Sequence, residues 1–379
     1  MPWKEVTLMS QRREFVTLAI QSGCNIKKLC RRFGISRKTG YKWITRFEEY
    51  GLSGLEDRSR RPLQSPERSD PDTEAAVLAL RTKHPAWGGR KLRARLLALG
   101  HEEVPSPSTI TAILHRYDCI DPVESAARTS YQRFEHEQPN HLWQMDFKGD
   151  FATDSGRCYP LTVLDDHSRY SILLEACSDQ RTQTVMKHLV SAFERYGLPY
   201  RMLMDNGSPW SGGPGYPYTP LTVWLIRQGI SICHSRAYHP QTHGKEERFH
   251  RTLEAELIRY RRFIDLADCQ EHFISFREVY NHERPHEALG MAVPSSRYSL
   301  SPRVYSPELA PIEYGSMDQV RKVQEGGVIH FKGREYTVSK AFAGYPIGIR
   351  PTNTDGIFDV YFCHQIISHI DLTVFHSGV

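Results

Sequence analysis

The order of apolar runs downstream of residue 140 is the feature that most constrains the fold. Three short runs with branched and aromatic residues stand in series within HLWQMDFKGDF, CYPLTVLDDHSRY and SILLEAC, a composition typical of strands. Helical patterns and further apolar runs then alternate toward a long amphipathic helix, at about 181–196, 200–204, 219–228, 230–233 and 241–260. This order predicts a mixed sheet with helices on its faces. We therefore expect an α/β domain over residues 140–300.

The first fifty residues instead have the pattern of three short helices. Each begins after a small polar residue that can cap it and ends at a glycine; the caps are Ser10, Asn25 and Ser36, and the glycines are Gly23, Gly34 and Gly51. The short turn at 34–36 is typical of a helix-turn-helix. We predict a DNA-binding domain over 1–52, whose third helix enters the major groove with Arg37, Lys38, Tyr41 and Lys42. A small helical domain with a solvated basic face is the alternative.

Basic residues are concentrated in the first part of the chain. No acidic residue occurs between Phe15 and Phe47, and residues 1–139 hold 24 Lys and Arg against 17 Asp and Glu. The remainder holds 25 against 27, so the net charge of +5 arises in the N-terminal part. Phosphate backbones attract such surfaces through the release of counterions. The charge distribution therefore favours DNA as a partner.

Two more segments follow the first helical domain. Residues 53–72 are rich in Pro, Ser and Arg and are predicted to be a linker, in which Arg58, Arg60 and Arg61 either follow a DNA backbone or remain solvated. Residues 73–118 are predicted to form a second helical, helix-turn-helix-like DNA-binding unit, with Ser108 as the cap of its last helix. A purely structural helical pair is the alternative. A polar connector spans 119–139.

Strand patterns return at the C-terminus. The segments VIHFKGREYTV, PIGIRPT and GIFDVYFCHQIISHI are separated by turn signals such as Lys332-Gly333 and Asp355-Gly356. We predict a small β-barrel over residues 315–379.

Several classes of protein are disfavoured by what the chain contains. Its eight cysteines are scattered without a CxxC pair, which argues against a disulfide framework or a zinc ribbon and favours a reducing cell interior. No apolar run approaches the roughly 18 residues of a membrane span. Neither a nucleophile elbow nor a glycine-rich phosphate loop is evident, so acyl transfer and ATP chemistry have no support.

Three carboxylates stand on elements that a mixed sheet brings together. Asp146 lies within the apolar strand WQMDF, Asp205 just past the strand RMLM, and Glu247 in the helix that begins at HPQTHGKEERFH. An acid between bulky apolar residues costs stability unless it is paired or bound to a cation, so Asp146 is the strongest of the three. Asp205 alone also suits a turn, and glutamates are common on helix surfaces. Together they match the convergent oxygen ligands that two-metal phosphodiester chemistry needs.

Five ordered motifs carry a resemblance to a known family. They are WQMDF at 143–147, LDDHSRY at 164–170, MDNGS at 204–208, HPQTHGKEERFH at 239–250 and YNHERPH at 280–286. With these motifs the chain resembles the bacterial insertion-sequence transposases that share a catalytic core with retroviral integrases. The resemblance covers 140–300 and the helical N-terminus, whereas the C-terminal region matches only in general character.

The resemblance implies an RNase H-like core with an Asp–Asp–Glu triad of Asp146, Asp205 and Glu247 that binds two Mg²⁺ or Mn²⁺ ions. Asp146 would bind both ions, Asp205 one of them and Glu247 the other. By motif position the glutamate is the one before Arg-Phe. Glu246 is its rival, because successive helical residues differ by about 100° and only one of the two can face the metals.

The spacing of the last two acids departs from the commonest pattern. Between Asp205 and Glu247 there are 41 residues, more than in many relatives. The extra length is assigned to the loop SPWSGGPGYPYTP at 208–220, which either adjusts over bound DNA or is a rigid elaboration.

The implied function is DNA transposition in the bacterial cytoplasm, in association with the nucleoid. The enzyme would nick the ends of a mobile element and join their 3′-hydroxyl groups to target DNA. The helix-turn-helix units would bind the terminal inverted repeats, Lys245, Arg248 and Arg251 would contact DNA, and the chain would act as a dimer or higher oligomer. A non-catalytic helix-turn-helix regulator and a protein-assembling adaptor are the alternatives.

Other polar motifs are predicted to have structural roles. Asp165 and Asp166 suit a strand-to-strand turn better than a metal site. Two pairs of histidines have the i, i+4 spacing of metal ligands but no third ligand, so structural or DNA-contact roles are preferred; the pairs are His239 with His243 and His282 with His286.

Overall fold

The computed structural model describes residues 8–58, 69–120, 135–213, 215–234 and 244–373. The chain divides into two compact units, Met1–Arg68 and Ser69–Val379. Among the described residues, no helix is long and apolar enough to span a membrane.

The first unit is the predicted three-helix domain. Its helices are α1 (Leu8–Ala19), α2 (Ile26–Arg32) and α3 (Arg37–Tyr50). The Asn25 side chain accepts from the Lys28 backbone N–H at 3.1 Å, and Ser36 accepts from Thr39 N–H at 3.1 Å, so two of the three predicted caps are confirmed. The prediction for Ser10 is wrong, because α1 already includes Leu8 and Met9 and Ser10 lies inside it.

Close packing of α3 against its neighbours explains a glycine within that helix. A Cβ atom at Gly40 would come within 2.6 Å of Cys30 Sγ and 3.0 Å of the Phe15 ring. Only a residue without a side chain fits there. The buried core of this unit is formed by Phe15, Val16, Leu29, Cys30, Trp43 and Leu55.

The second unit begins with three more helices, which we call the helical module. They are α4 (Pro71–Lys83), α5 (Gly89–Ala98) and α6 (Pro107–Arg116). The cap of α6 is Ser106, which accepts from Thr109 N–H at 3.2 Å, so the prediction of Ser108 is wrong. Pro107 suits the first helical position because it has no N–H to satisfy and its φ is already helical. The helix therefore begins two residues earlier than a cap at Ser108 would allow.

A six-stranded mixed sheet forms the centre of the second unit, as predicted. Its strands are β1 (Leu142–Phe147), β2 (Phe151–Thr153), β3 (Gly156–Asp165), β4 (Ser171–Cys177), β5 (Arg201–Met204) and β6 (Ser231–His234). The order is β2-β3-β1-β5-β6, with β4 also paired to β3. The β1–β3 and β3–β4 pairs are antiparallel, whereas β1–β5 and β5–β6 are parallel. The order β4-β3-β1-β5-β6 places β1 at the middle of the sheet.

Four helices cover this sheet. They are α7 (Thr182–Tyr196), α8 (Pro220–Arg227), α9 (Gly244–Glu256) and α10 (Leu266–Glu278). Apolar side chains of α7 and α8 share one buried cluster with Trp143 and Met145 of β1. Those of α9 and α10 form a second cluster with Leu164 of β3 and Leu174 of β4. The sheet thus has a helical layer on each face.

The C-terminal strands form an open sheet and a hairpin. They are β7 (Gln319–Lys322), β8 (Val328–Phe331), β9 (Arg334–Thr337), β10 (Pro346–Pro351), β11 (Ile357–Phe362) and β12 (Gln365–Asp371). The sheet order is β12-β11-β10-β7, and β8 pairs only with β9 among the described residues. The predicted closed barrel is therefore not observed. Closure needs a continuous staggered ladder, and the four-residue strands β7, β8 and β9 are too short to supply one.

One side chain of the C-terminal sheet forms hydrogen bonds with the edge strand of the central sheet. Ile232 of the edge strand β6 donates its backbone N–H to Gln365 Oε1 at 3.1 Å, and Gln365 Nε2 donates to Ile232 O at 3.4 Å. An amide side chain thus satisfies the backbone of an edge strand that would otherwise be free to pair.

Candidate active site

Asp146 lies on the central strand β1, where its side chain is 27% exposed. Its Oδ1 accepts the backbone N–H of Phe147 at 2.8 Å. Burial and the nearby carboxylate of Asp205 raise the pKa of Asp146 to about 7, with Glu247 adding to the increase and the Phe147 hydrogen bond opposing it. Both of the other predicted acids are therefore close enough to raise the pKa of Asp146.

Asp205 follows the end of β5, the parallel neighbour of β1. The register pairs Gln144 with Leu203, so the strand ends lie side by side and carry Asp146 and Asp205 to one edge. Asp205 Oδ1 accepts from Gly207 N–H at 2.8 Å, and the His234 ring donates to Asp205 O at 3.0 Å. A Cβ atom at Gly207 would lie 3.3 Å from both carboxylate oxygens of Asp205.

Glu247 lies in the first turn of α9 and is exposed. In the described part of the chain, no Lys or Arg forms an ion pair with Asp146, Asp205 or Glu247, and the nearest cationic candidate is His250 Nδ1, at 4.0 Å from Asp146 Oδ2. Within the same ranges, no three acidic, histidine or cysteine side chains are grouped tightly enough to hold a metal ion as they stand. The acids are thus neighbours of like charge rather than a closed cage.

Glu246 instead faces into the protein. It is fully buried, and its Oε2 lies 3.0 Å from the Thr162 hydroxyl. The same hydroxyl is 2.9 Å from Asp146 O and 2.8 Å from His250 Nε2. Because a hydroxyl has one proton and a carbonyl oxygen only accepts, His250 or a protonated Glu246 must supply a second hydrogen. Burial, and then Asp146, raise the pKa of Glu246 well above its ordinary value.

The Glu246 network was not foreseen from the sequence, where Glu246 entered only as a rival for Glu247. The available signal was the spacing of Glu246 and His250, which puts both on one face of a helix. The other carboxylate oxygen of Glu246, Oε1, has no hydrogen-bond partner among the described residues.

The loop at 208–220 is anchored beside the site. Trp210 is buried, and its ring stacks on Phe147, the neighbour of Asp146, with centroids 5.6 Å apart. Gly212 N–H donates to Tyr216 O at 2.8 Å, and the Thr219 hydroxyl donates to Pro209 O at 3.0 Å. These contacts fit the rigid alternative for this loop. Pro214 lies outside the described residues.

Models of known domain families match successive parts of the chain. The "Helix-turn-helix domain" model matches residues 11–62 and the "Homeodomain-like domain" model 39–114. Two "Integrase core domain" models match 136–240 and 228–294, and the model "IS481 family transposase, C-terminal domain" matches 318–377. The chain thus combines helix-turn-helix domains, an integrase core and the C-terminal domain of an IS481 family transposase. The predicted family, enzyme class and helix-turn-helix content are thereby confirmed.

Two curated relatives of this transposase come from insertion elements. An uncharacterized protein of insertion element IS407 from Burkholderia multivorans is 26% identical over 235 residues, which cover 59% of this chain and 82% of that protein. An uncharacterized protein of insertion element IS476 from Xanthomonas euvesicatoria is 27% identical over 157 residues, which cover 41% of this chain and 44% of that protein. The match thus spans most of the first relative but less than half of the second.

Solved structures of retroviral integrases are also similar to the transposase. The simian T-cell lymphotropic virus intasome aligns with a TM-score of 0.37 and 15% identity over 79% of this chain and 97% of that one. The HTLV-2 integrase catalytic core in complex with magnesium, in its trimeric form, aligns with a TM-score of 0.33 and 17% identity over 43% of this chain and 99% of that one.

The predicted DNA-contacting residues of α9 have different surroundings in the transposase. Arg248 and Arg251 are exposed on the same helix as Glu247. The Lys245 ammonium instead forms an ion pair with the buried carboxylate of Asp166, and burial lowers the pKa of Lys245 to about 8. Lys245 therefore stabilises the fold, and its predicted contact with DNA stays a prediction.

The LDDHSRY turn has the structural role that was predicted for it. Asp165 accepts from Ser168 N–H at 2.8 Å and from Asn140 N–H at 2.7 Å. Asp166 accepts from Gln144 Nε2 at 2.7 Å in addition to Lys245. Both acids are thus occupied by hydrogen bonds that hold the end of β3 to its neighbours.

The histidine pairs do not converge on a metal site in the described ranges. His239 and His243 lie outside the described residues. His282 lies 3.8 Å from Glu278, while His286 is buried and its pKa is lowered to about 2, chiefly by burial and then by Arg284. His286 is therefore neutral, as expected for a structural residue.

The basic residues predicted to read DNA are exposed in the first unit. Arg37, Lys38 and Lys42 lie on the surface of α3, and Tyr41 is 56% exposed. Arg58 lies over the Tyr50 ring at 4.6 Å. Arg60 and Arg61 lie outside the described residues.

Proposed function

We propose that this transposase binds the ends of its mobile element, cuts them and joins the resulting 3′-hydroxyl groups to target DNA, with Asp146, Asp205 and Glu247 as the catalytic acids. The observation that carries the proposal is the raised pKa of Asp146. Its pKa is raised to about 7 by burial, by Asp205 and by Glu247, although the acids come from a strand, a strand end and a helix. Three acids that repel one another, and that form no ion pair with a lysine or arginine among the described residues, call for a cation.

A pair of divalent metal ions fits this donor set. Carboxylate oxygens are hard ligands of the kind that Mg²⁺ and Mn²⁺ prefer. The charges of both other acids act on Asp146, so we assign Asp146 to both ions, Asp205 to one and Glu247 to the other. Bound there, the ions supply positive charge that activates the attacking oxygen and stabilises the leaving oxygen of an in-line displacement.

The protein's own residues hold this site in place. The Phe147 N–H fixes one oxygen of Asp146, and the Gly207 N–H fixes one oxygen of Asp205. Exposure of Glu247 leaves its carboxylate accessible from the solvent side, where DNA would lie, whereas Glu246 is enclosed and held by Thr162. We therefore assign the catalytic role to Glu247.

DNA binding is assigned to three parts of the chain. The exposed cations of α3 and the helical module would recognise the terminal inverted repeats. Arg248 and Arg251 would contact phosphates next to the acids. The C-terminal sheet would bind DNA or a second subunit. Because two ends are joined in one event, the transposase would act as a dimer or higher oligomer, in the bacterial cytoplasm on nucleoid DNA.

An assay of metal-dependent cleavage tests the proposal. The DNA that flanks the gene supplies the substrate, since inverted repeats bracketed by short direct repeats mark the element's ends. The Asp146→Asn variant should bind these ends as the wild type does and lose cleavage with both Mg²⁺ and Mn²⁺. Asp150→Asn is the matched control, because Asp150 pairs with Arg157 on the surface and should leave cleavage unchanged.

Two outcomes would contradict the proposal. One is full cleavage by Asp146→Asn. The other is a wild-type protein that binds the ends but never nicks them in either metal, which would instead support a non-catalytic regulator.

A further inference from the structure

A largely shielded glutamate, Glu256, links the helical module to the catalytic core. Glu256 is the last residue of α9, the helix that carries Glu247. Its Oε2 accepts the indole N–H of Trp87 at 3.1 Å, and its Oε1 accepts from Arg284 Nε at 2.9 Å. Lys91 Nζ lies 3.7 Å from the same Oε1. Glu256 thus joins two residues of the module to α9 and to the YNHERPH segment.

The contact at Glu256 is largely shielded from solvent. The side chain of Glu256 is 12% exposed and that of Arg284 is 9% exposed. Although burial opposes it, Arg284 and then Lys91 hold the pKa of Glu256 below its ordinary value. Trp87 is fully buried and stacks on His84 with ring centroids 3.8 Å apart. Charge-assisted hydrogen bonds in such surroundings are stronger and less adjustable than surface ion pairs.

A second group of contacts strengthens the same interface. Glu283 accepts from Lys83 at 3.2 Å and lies 3.1 Å from Arg95. Val279 of the core packs against the apolar cluster of the module. Two acids of the core therefore engage cations of α4 and α5, and an apolar contact lies between them.

The docking leaves another face of the module free. The contacts come from α4, α5 and the turn between them, whereas Ser108, Thr109 and Ala112 in the first turns of α6 are exposed. A helix-turn-helix reads DNA with the start of its second helix. The module is thus held by its first two helices and presents the third.

We propose that the Glu256 contact sets the distance between the DNA sequence read by α6 and the phosphate cut at Asp146. Trp87, Lys91 and Glu256 are then positioning residues, which select the phosphate that is cut. Glu256 follows Glu247 by nine positions along one helix, which corresponds to roughly 14 Å at about 1.5 Å per residue. A continuous helix keeps this spacing constant. The inference rests on the proposed cleavage activity and adds to it the selection of the cut site.

The double variant Trp87→Phe with Lys91→Met tests the inference from the module's side. It removes both module partners of Glu256 and keeps the Glu256–Arg284 pair inside the core. The matched control is Leu97→Met, which changes a side chain of the same helix that is 43% exposed. Each protein is incubated with end DNA and Mg²⁺, and the 3′ ends are mapped at single-nucleotide resolution beside measurements of DNA binding and melting temperature.

The expected result is a change in cut position rather than a loss of binding. The wild type and Leu97→Met should cut predominantly at one phosphate. The double variant should bind with similar affinity but spread its cuts over neighbouring phosphates, with the fraction at the wild-type position reduced at least twofold. A general loss of stability would lower total cleavage without moving the cut, so position separates the two effects.

Two failures remain distinguishable. Absence of cleavage by the wild type would contradict the proposed function itself. Cleavage by the double variant at the same single phosphate, in the same proportion, would overturn the positioning role while leaving the function intact. If the double variant does not fold, Lys91→Met alone removes one module partner of Glu256 and keeps Trp87, and an unchanged cut position in that variant overturns the inference equally.

Discussion

Thr162 lies directly opposite Asp146 in the antiparallel ladder of β1 and β3, and its hydroxyl joins that ladder to the catalytic helix. The hydroxyl is 2.9 Å from Asp146 O and 3.0 Å from Glu246 Oε2. It is also 2.8 Å from His250 Nε2. The strand that carries the first acid and the helix that carries the last are thus held together by one side chain.

Replacement of Thr162 by Val should destabilise the protein without changing the shape of the side chain. The buried oxygen of Glu246 would lose its hydrogen bond, which costs about 1–3 kcal/mol. The free energy of unfolding in urea should fall by this amount, whereas Thr162→Ser, which keeps the hydroxyl, should lose less. An unchanged free energy of unfolding in Thr162→Val would show that the hydroxyl does not stabilise this junction.

The two neighbouring glutamates should respond differently to the same change. Glu247→Gln should reduce strand transfer by more than roughly 100-fold. Replacing a residue that only hydrogen-bonds to a metal ligand already lowers activity by roughly 10–100-fold. Glu246→Gln should retain measurable strand transfer, since an amide can keep the contact with Thr162 and the buried acid favours its neutral form. Strand transfer into a target plasmid measures both. The reverse ranking would move the catalytic assignment to Glu246.

The stability of the metal-free protein should depend on the ionisation of Asp146. Its pKa is about 7 in the folded protein against an ordinary value of 3.8, so the folded state binds the proton more tightly than the unfolded state. Stability relative to Asp146→Asn should therefore fall as the pH rises from about 4 to about 7, by on the order of 3 kcal/mol, and level off above that. Urea titrations in EDTA check this difference. Parallel curves for the two proteins would contradict the raised pKa.

Gly207→Ala should impair the site and spare the fold. The new Cβ would lie 3.3 Å from both oxygens of Asp205, closer than an ordinary contact, so the carboxylate must shift. Cleavage should fall at least tenfold while the free energy of unfolding changes by less than about 1 kcal/mol. Gly326→Ala is the control, because its Cβ would make only a 3.8 Å contact with Val328. Full cleavage by Gly207→Ala would mean that Asp205 need not be held as observed.

Arg251→Ala should weaken the hold on DNA next to the acids. Arg251 is four residues beyond Glu247 and therefore on the same helix face, and it is exposed. The salt dependence of end binding should lose about one phosphate contact, and strand transfer should fall. Arg195→Ala on α7, which covers the opposite face of the sheet, is the control. Unchanged strand transfer in Arg251→Ala removes the predicted contact.

The sequence alone determined the types of the elements and the positions of the acids along them. The caps Asn25 and Ser36 were predictable because each bonds a backbone N–H three residues away. Strand and helix periodicities are likewise written within a few residues. Asp146 could be singled out because an acid in an apolar strand costs stability unless it is paired or bound to a cation.

Only the tertiary structure decided which way the neighbouring side chains face. The burial of Glu246 and the exposure of Glu247 depend on how α9 is rotated against the β1–β3 ladder. Thr162 and Glu246, which are in contact there, are 84 positions apart in the sequence. The pairing of Lys245 with Asp166, of Glu256 with Trp87, and of Gln365 with β6 likewise joins residues far apart in the chain. The open C-terminal sheet depends on which strands meet. Such contacts are selected by the packing of whole elements, whereas the sequence near each residue specifies only the element to which it belongs.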